Sequence, residues 1–479
     1  MATERRFDVN KPDDIAQIHQ LLLDGCSLSD DEHFQDDDPQ SPAPGPSNLV
    51  PEVLEEDHDT DAEEEIEERE ENSDTSQSDS EASTDCDDDE LVFVCHHKKG
   101  KKVIDSISWK KIPLPSKKRG THNLLRRLPG PIGQGKGTKT FFESWACLFD
   151  DSMLEMIVVF TNQYIEVIQP NYSRPRDAKK TNKTEIKAFI GLLYIAGIHK
   201  SGKLNLADLW ASDGFGIEIF RLTMGINRFR FLLMAVRFDD RQTRAERKEQ
   251  DRLAPIRDIF EKFVKNCQVC YHVGEDVTID EKLEGFRGRC NFIQYIPSKP
   301  AKYGIKIFAT VSDSGVFYTC NMEIYAGKQP EGPFQASNKP VDVVQRMVTP
   351  LRNSGRNITA DNWFSDTTLL HTLSRNYGLS YVGTLKKNKW QIPKEMKDLK
   401  NREAYSSMFA FSKNGTMVSY VPQNKKNKKN VLLISSMHMD GVIDEESGDK
   451  KKPEMITYYN HHKIGVDMVD KMSGAYNAL

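Results

Sequence analysis

The chain has 479 residues, 38% of them hydrophobic and 29% charged, with a net charge of −6. That length supports several domains with a sizeable core, so no disulfide or metal staple is required; no apolar run approaches the ~18–20 residues of a membrane helix, and the first residues lack the apolar stretch of a signal peptide. Eight cysteines, at 26, 86, 95, 147, 267, 270, 290 and 320, are too scattered for a disulfide framework and suit a reducing compartment.

The net charge conceals a strong polarity along the chain. Residues 30–90 hold 27 acidic side chains against the single Arg69, a balance of −26, which leaves +20 on the rest. A body that basic points to a polyanionic partner. Residues 1–95 read as an acidic N-terminal region. It opens on one short helix with Ile15, Ile18 and Leu22 on a shared face, then continues as a Ser- and Pro-rich tract too poor in apolar residues to fold. That disordered tract is either a solvated spacer or a surface for basic proteins.

Residues 96–140 reverse the sign, from His96, His97, Lys98 and Lys99 to Lys136 and Lys139. Prolines and glycines interrupt them, which predicts an extended basic arm suited to phosphate contact or nuclear import. Residues 141–273 have helical spacing at 152–163, 184–198, 216–224, 226–237 and 256–270. From residue 274 the period becomes that of strands, at 277–280, 303–311 and 316–325, the last two flanking an Asp313-Ser314-Gly315 turn. A helix over 341–351, a strand over 356–360, a helix over 367–376 and a strand over 379–384 complete this part, 274–385. The Lys- and Asn-rich segment 386–453, with short β pieces at 408–412, 416–421 and 431–435, reads as a β-rich insertion. Residues 454–479 then give a last strand over 455–460 and the opening of a helix at Gly465.

Three carboxylates fall at the ends of these elements: Asp280 and Asp361 after strands, and Asp467 on the late helix with Asp470 one turn on. Carboxylates that converge need a counter-charge, which bound Mg²⁺ supplies. Two such ions, about 3.5–4 Å apart, can activate an attacking oxygen and stabilise a leaving one in phosphodiester chemistry. Spacing alone favours the plainer account of the same positions, as caps and turn residues.

Longer strings narrow the choice. Thr278-Ile279-Asp280-Glu281-Lys282-Leu283-Glu284-Gly285-Phe286-Arg287-Gly288-Arg289-Cys290, then Tyr295 through Lys306, closely resemble the piggyBac transposase family. So do Asn357 through Phe364, Tyr458-Tyr459-Asn460 and Gly465-Val466-Asp467-Met468-Val469-Asp470, and in the helical region Asp208-Leu209-Trp210, Phe238-Asp239-Asp240 and Leu253 through Arg257. The resemblance runs from about residue 141 to 475. It implies an α/β fold with an RNase H-like catalytic core, and a catalytic triad of Asp280, Asp361 and Asp467. Asp470 matches a further acidic position at the metal site. It implies two Mg²⁺ or Mn²⁺ ions, and a cut-and-paste reaction on DNA. Water nicks the transposon end, the freed 3′-hydroxyl closes a DNA hairpin, and the reopened end joins at a TTAA target. It also implies action in the nucleus, a homodimer, a dimerisation and DNA-binding role for 141–273, and an insertion domain at 386–453.

Arg287, Arg289, Lys299, Lys302 and Lys306 cluster around the first Asp in sequence and are the candidate DNA contacts, with balancing of nearby carboxylates as their other reading. Trp363 is either a core indole or a base-stacking ring. Cys267 and Cys270 read as buried free thiols, because their CxxC lacks a second cysteine pair. His461 and His462 read as exposed turn histidines, with a metal or base role as their other reading. Family members continue well past the third Asp into a cysteine-rich zinc module, so no zinc site is expected in this chain and its last helix is expected to be cut short. An active transposase and a non-catalytic, transposon-derived nuclear DNA-binding protein both follow from these residues. A glycosidase-type carboxylate pair gives no reason for the basic body.

Overall fold

The computed structural model describes residues 92–99, 102–115, 124–297, 299–313, 316–423 and 429–476. The short helix and the acidic tract expected over residues 1–91 lie outside the described residues, as does the stretch of the basic arm at 116–123.

The longer helices of the helical part are α1 (Phe141–Leu148), α2 (Asp151–Ile168), α3 (Lys183–Ile198), α4 (Glu218–Thr223), α5 (Ile226–Ala235), α6 (Arg244–Gln250) and α7 (Arg257–Cys270). Local chemistry starts the longer ones. Thr140 and Glu143 form a capping box on α1, and the Asp150 and Asn182 side chains accept from the amides of Met153 and Glu185, satisfying N–H groups that a helix start leaves open. Ile165, Phe189, Leu192, Phe229 and Leu232 then bury one another. Several arginines of this region turn inward. Arg228 pairs with Glu185 at 2.7 Å and Arg257 with Asp251 at 2.6 Å, while Arg244 and Arg247 both reach the buried Asp239. Among the described residues no helix is long and apolar enough to cross a membrane.

Eleven strands form one mixed sheet: β1 (Val92–Lys99), β2 (Lys102–Lys110), β3 (Asp276–Gly285), β4 (Ile293–Tyr295), β5 (Tyr303–Ser312), β6 (Tyr318–Ile324), β7 (Asn357–Ala360), β8 (Ser380–Thr384), β9 (Ser407–Ser412), β10 (Gly415–Tyr420) and β11 (Val431–Ser435). Their order is β1-β2-β9-β10-β11-β8-β7-β3-β5-β4, with β6 also on β5. At the centre β3, β7 and β8 run parallel, while β3, β5 and β6 are antiparallel neighbours. Helices α8 (Pro340–Val348) and α9 (Thr367–Thr372) connect β6 to β7 and β7 to β8. Their Val343, Val344, Met347, Leu369 and Leu370 bury against Val277, Ile279, Phe308 and Ile358 of the sheet. Two helices close the described chain, α10 (Glu454–His462) and α11 (Gly465–Ala475); Val466 of α11 is buried with Ala309 and Val311 of β5.

Three local expectations need correction. The start of the basic arm is a β-hairpin, not an extended arm. Phe93 and Cys95 are buried while Val94 and His96 are exposed, a two-residue alternation that fits a sheet edge, and Trp109 is buried with its indole N–H donating to the Gln391 carbonyl at 3.1 Å. The segment expected as a last strand over 455–460 is helical. Its buried residues, Met455, Ile456 and Tyr459, follow a helical period that the run of Thr457 and two tyrosines hides. The strand carrying Asp280 does not end there but runs on to Gly285. The β pieces of the 386–453 segment, β9 to β11, extend the central sheet through the β8–β11 pairing.

Candidate active site

The register of the central strands brings the first two carboxylates together. In the parallel β3–β7 ladder the last partners are Ile279 and Ala360, so Asp280 and Asp361 are the next residue on each strand. They share a face on neighbouring strands, which lie about 4.8 Å apart. Asp280 remains within β3, opposite Ala309 of β5; the element that ends beside it is β7. The chain turns sharply after Asp361, whose Oδ1 accepts from the amides of Trp363 (2.9 Å) and Phe364 (3.4 Å).

The third carboxylate arrives on α11, which lies close on the sheet. A Cβ on Gly465 would come within 2.9 Å of the Thr278 hydroxyl, so glycine lets the helix start this near β3. Thr278 also donates to the His462 carbonyl at 2.5 Å, and Lys282 donates to Ser473 Oγ at 3.2 Å. These contacts fix the helix over the strand. Asp467 then sits in the first turn and Asp470 in the next.

Between the strands and the helix lies Lys299, on the loop joining β4 to β5. Its ammonium donates to the Glu281 carbonyl at 3.0 Å and lies 3.4 Å from Asp467 Oδ1 and 4.0 Å from Asp470 Oδ2. Its side chain is 14% exposed, that of Asp467 61%. Burial opposes the lysine's charge, yet Asp280, Asp467, Glu281 and Asp470 outweigh that and hold its pKa above the usual value. The carboxyls respond in the opposite sense. Burial pushes Asp280 well up, reinforced by the charges of Glu281, Asp361 and Asp467. Asp361 is raised by burial and by Glu281, and Asp470 by burial against the pull of Lys299 and Lys282. Neighbouring carboxyls raised chiefly by burial, with Glu281 adding to both, mark a site where further positive charge would be stabilising. Its donors are all oxygens, the set a hard divalent cation takes, so the donor chemistry fits such an ion, while Asp280, Asp361 and Asp467 do not all bring an oxygen within 4.8 Å of one another.

The five candidate DNA contacts separate in space. Arg287, Arg289 and Lys302 are exposed. Lys299 sits among the carboxylates. Lys306 is held by three rings, 5.5 Å from Phe308, 5.7 Å from Tyr325 and 5.1 Å from Trp363. Trp363 itself stacks on Phe308 and meets Phe364 edge-on, packed against the core cluster. Cys267 and Cys270 are buried free thiols at the end of α7, and burial lifts the Cys267 thiol to about 11.

A second charged group joins His462 to partners that the sequence did not reveal. His462 is not an exposed turn residue: it ends α10 with a 16% exposed side chain, and its Nδ1 lies 2.8 Å from Asp313 Oδ2, its Nε2 3.8 Å from Asp276 Oδ2. Tyr458 OH donates to Asp276. Among the described residues Asp276, Asp313 and His462 form the one trio of such ligand atoms within 4.8 Å of one another. Only the β3–β5 register, with Val277 opposite Ser312, could have suggested that Asp276 and Asp313 are neighbours; nothing in the spacing points to His462.

Burial disfavours the imidazolium, but the hydrogen bond to Asp313 and the charges of Asp313 and Asp276 prevail and raise its pKa above 6.5. A raised folded-state value stabilises the protein fully below the unfolded pKa, and the benefit is lost as pH rises through the folded one. His462→Ala, which strands the Asp313 carboxylate, is therefore expected to cost about 3–5 kcal/mol in urea unfolding at pH 6. The gap between the two proteins should narrow as pH climbs above 6.5. A pH-independent difference would remove the imidazolium from the account.

The order β6-β5-β3-β7-β8, with helices between the parallel strands and carboxylates where β3 and β7 part, defines an RNase H-like core. A sequence model described as transposase IS4 matches residues 140–479. The cryo-EM structure of a piggyBac transposase synaptic complex with hairpin DNA superposes with a TM-score of 0.66 and 35% identity, covering 73% of this chain and 71% of that one. The chain belongs to the piggyBac transposase family. The human PiggyBac transposable element-derived protein 3 is 23% identical over 344 residues, 69% of this chain and 55% of that protein. The human chimeric ERCC6-PGBD3 protein is also 23% identical over 344 residues, with 31% of its length covered. The chain thus spans about half, or less, of these two relatives.

Proposed function

We propose that this chain acts on DNA as a transposase of the DDD type, cutting and joining phosphodiesters at Asp280, Asp361 and Asp467, with Asp470 in support. The observation that carries the reading is the register that sets Asp280 beside Asp361 under the first turn of α11. Asp280, Asp361 and Asp467 supply oxygen ligands, and the Trp363 and Phe364 amides hold Asp361 in orientation. When bound there, Mg²⁺ or Mn²⁺ would lower the barrier by activating the attacking oxygen and stabilising the leaving one. Arg287, Arg289 and Lys302, all exposed, are the phosphate contacts proposed. DNA is the partner proposed, because the similar solved structure is a complex with hairpin DNA and the body beyond the acidic tract carries +20. Transposon ends and TTAA flanks as substrates, a homodimer, nuclear action, and the division into a helical dimerisation and DNA-binding part, a core and an insertion belong to the same proposal.

A second reading, a DNA-binding protein without catalysis, is favoured by one feature: the ammonium of Lys299 lies against Asp467 and Asp470. Supercoiled plasmid incubated with the protein and Mn²⁺ separates the two. Nicking that requires both the metal and Asp361 supports the enzyme. Retention of the plasmid without nicking supports the second reading.

A further inference from the structure

We infer that Lys299 is the resident counter-ion of the carboxylate cluster and that a divalent cation must displace it to enter. This rests on the proposed metal site and adds a step to it. The loop places the ammonium deliberately. Pro297 and Pro300 flank the lysine and fix φ on either side. The turn is closed by hydrogen bonds from the Ile296 amide to the Lys302 carbonyl (2.8 Å), from Lys299 to Ile296 (3.1 Å) and from Lys302 to Lys299 (3.0 Å), with Lys302 at a left-handed φ of 55°. These contacts at Ile296, Lys299 and Lys302 aim the Lys299 side chain into the gap between β3 and α11.

The position reached is the one a bound cation would contest. Lys299 contacts Asp467 and Asp470, two of the four proposed ligands, and its charge is felt by Asp280. Among the described residues, Asp280, Asp361 and Asp467 do not all bring ligand atoms within 4.8 Å of one another, although Asp276, Asp313 and His462 do. The cluster is thus balanced by a tethered monovalent charge. An ammonium offers only hydrogen-bond donors and one charge, so a divalent ion gains the carboxylates only once the lysine has left. The four-carbon stem lets the head leave while the loop stays in place.

The test is the affinity for Mn²⁺ alone, read from the electron paramagnetic resonance of the free ion, on the full chain. Lys299→Met keeps the stem and removes the charge; it should tighten Mn²⁺ binding about tenfold. Lys299→Arg keeps the charge and should not tighten it. Thermal melting checks that both variants fold, and added Mn²⁺ should raise the midpoint of Lys299→Met more than that of the parent. Equal or weaker binding by folded Lys299→Met, with Asp361→Asn still abolishing the parent's binding, would overturn the counter-ion role and leave the metal site intact. No saturable binding by either parent or Lys299→Met would overturn both.

Discussion

Asp361→Asn should leave a folded, DNA-binding protein whose Mn²⁺-dependent nicking falls by at least roughly 10³-fold, since carboxylates that act as a unit are not replaced by their neighbours. The asparagine Oδ1 can still accept from the amides of Trp363 and Phe364, so the turn after β7 survives. What disappears is one negative charge beside Asp280. Burial and Glu281 already push the Asp361 carboxyl upward, so its removal relieves repulsion. The melting temperature without metal is expected to be unchanged or slightly higher. DNA affinity without metal should stay within about twofold, because affinity for duplex DNA comes from cations on phosphates. Loss of folding or of DNA binding alongside nicking would show that the residue holds structure instead.

The second large effect is on stability. Arg356 is 2% exposed, and its guanidinium donates to the main-chain carbonyls of Val273 (2.6 Å), Gly274 (2.8 Å) and Arg127 (3.2 Å). Burial lowers its pKa. This one side chain ties the approach to β3 to the entry of β7, the two strands that deliver Asp280 and Asp361. Arg356→Met leaves three carbonyls without that donor and should cost about 3 kcal/mol or more, read as a lower urea midpoint. Lysine, a point donor on a flexible stem, should not restore it. A Met variant as stable as the parent would mean that the carbonyls find other donors.

Much of the core could be read before any coordinates, because its elements announce themselves locally. The Asp313 turn between two β-branched runs gives β5 and β6, and the apolar spacing of 341–351 gives α8. Asp361 was legible for the same reason, since the short run Asn357–Ala360 has nowhere to continue. Failures arose where tertiary packing outweighs local pattern. Thr457, Tyr458 and Tyr459 have strand propensity, yet Met455, Ile456 and Tyr459 bury as one helical stripe against Val382 and Leu433. The charged hairpin β1–β2 is held by Trp109 and by the Phe411–Lys110 pairing, far away in sequence. The cations were legible in kind and not in direction. Nothing local distinguishes Lys299, aimed at carboxylates, from Lys302, three residues on and exposed. The Asp276, Asp313 and His462 network joins positions that only the completed sheet makes neighbours.

The most direct test of the central claim is a calorimetric titration of Mn²⁺ into the purified chain, beside Asp280→Asn and Asp361→Asn. Saturable binding that each substitution weakens by tenfold or more is the result expected of carboxylates converging from β3, β7 and α11. Binding that neither substitution alters, or none at all in a chain shown to be folded, would contradict it.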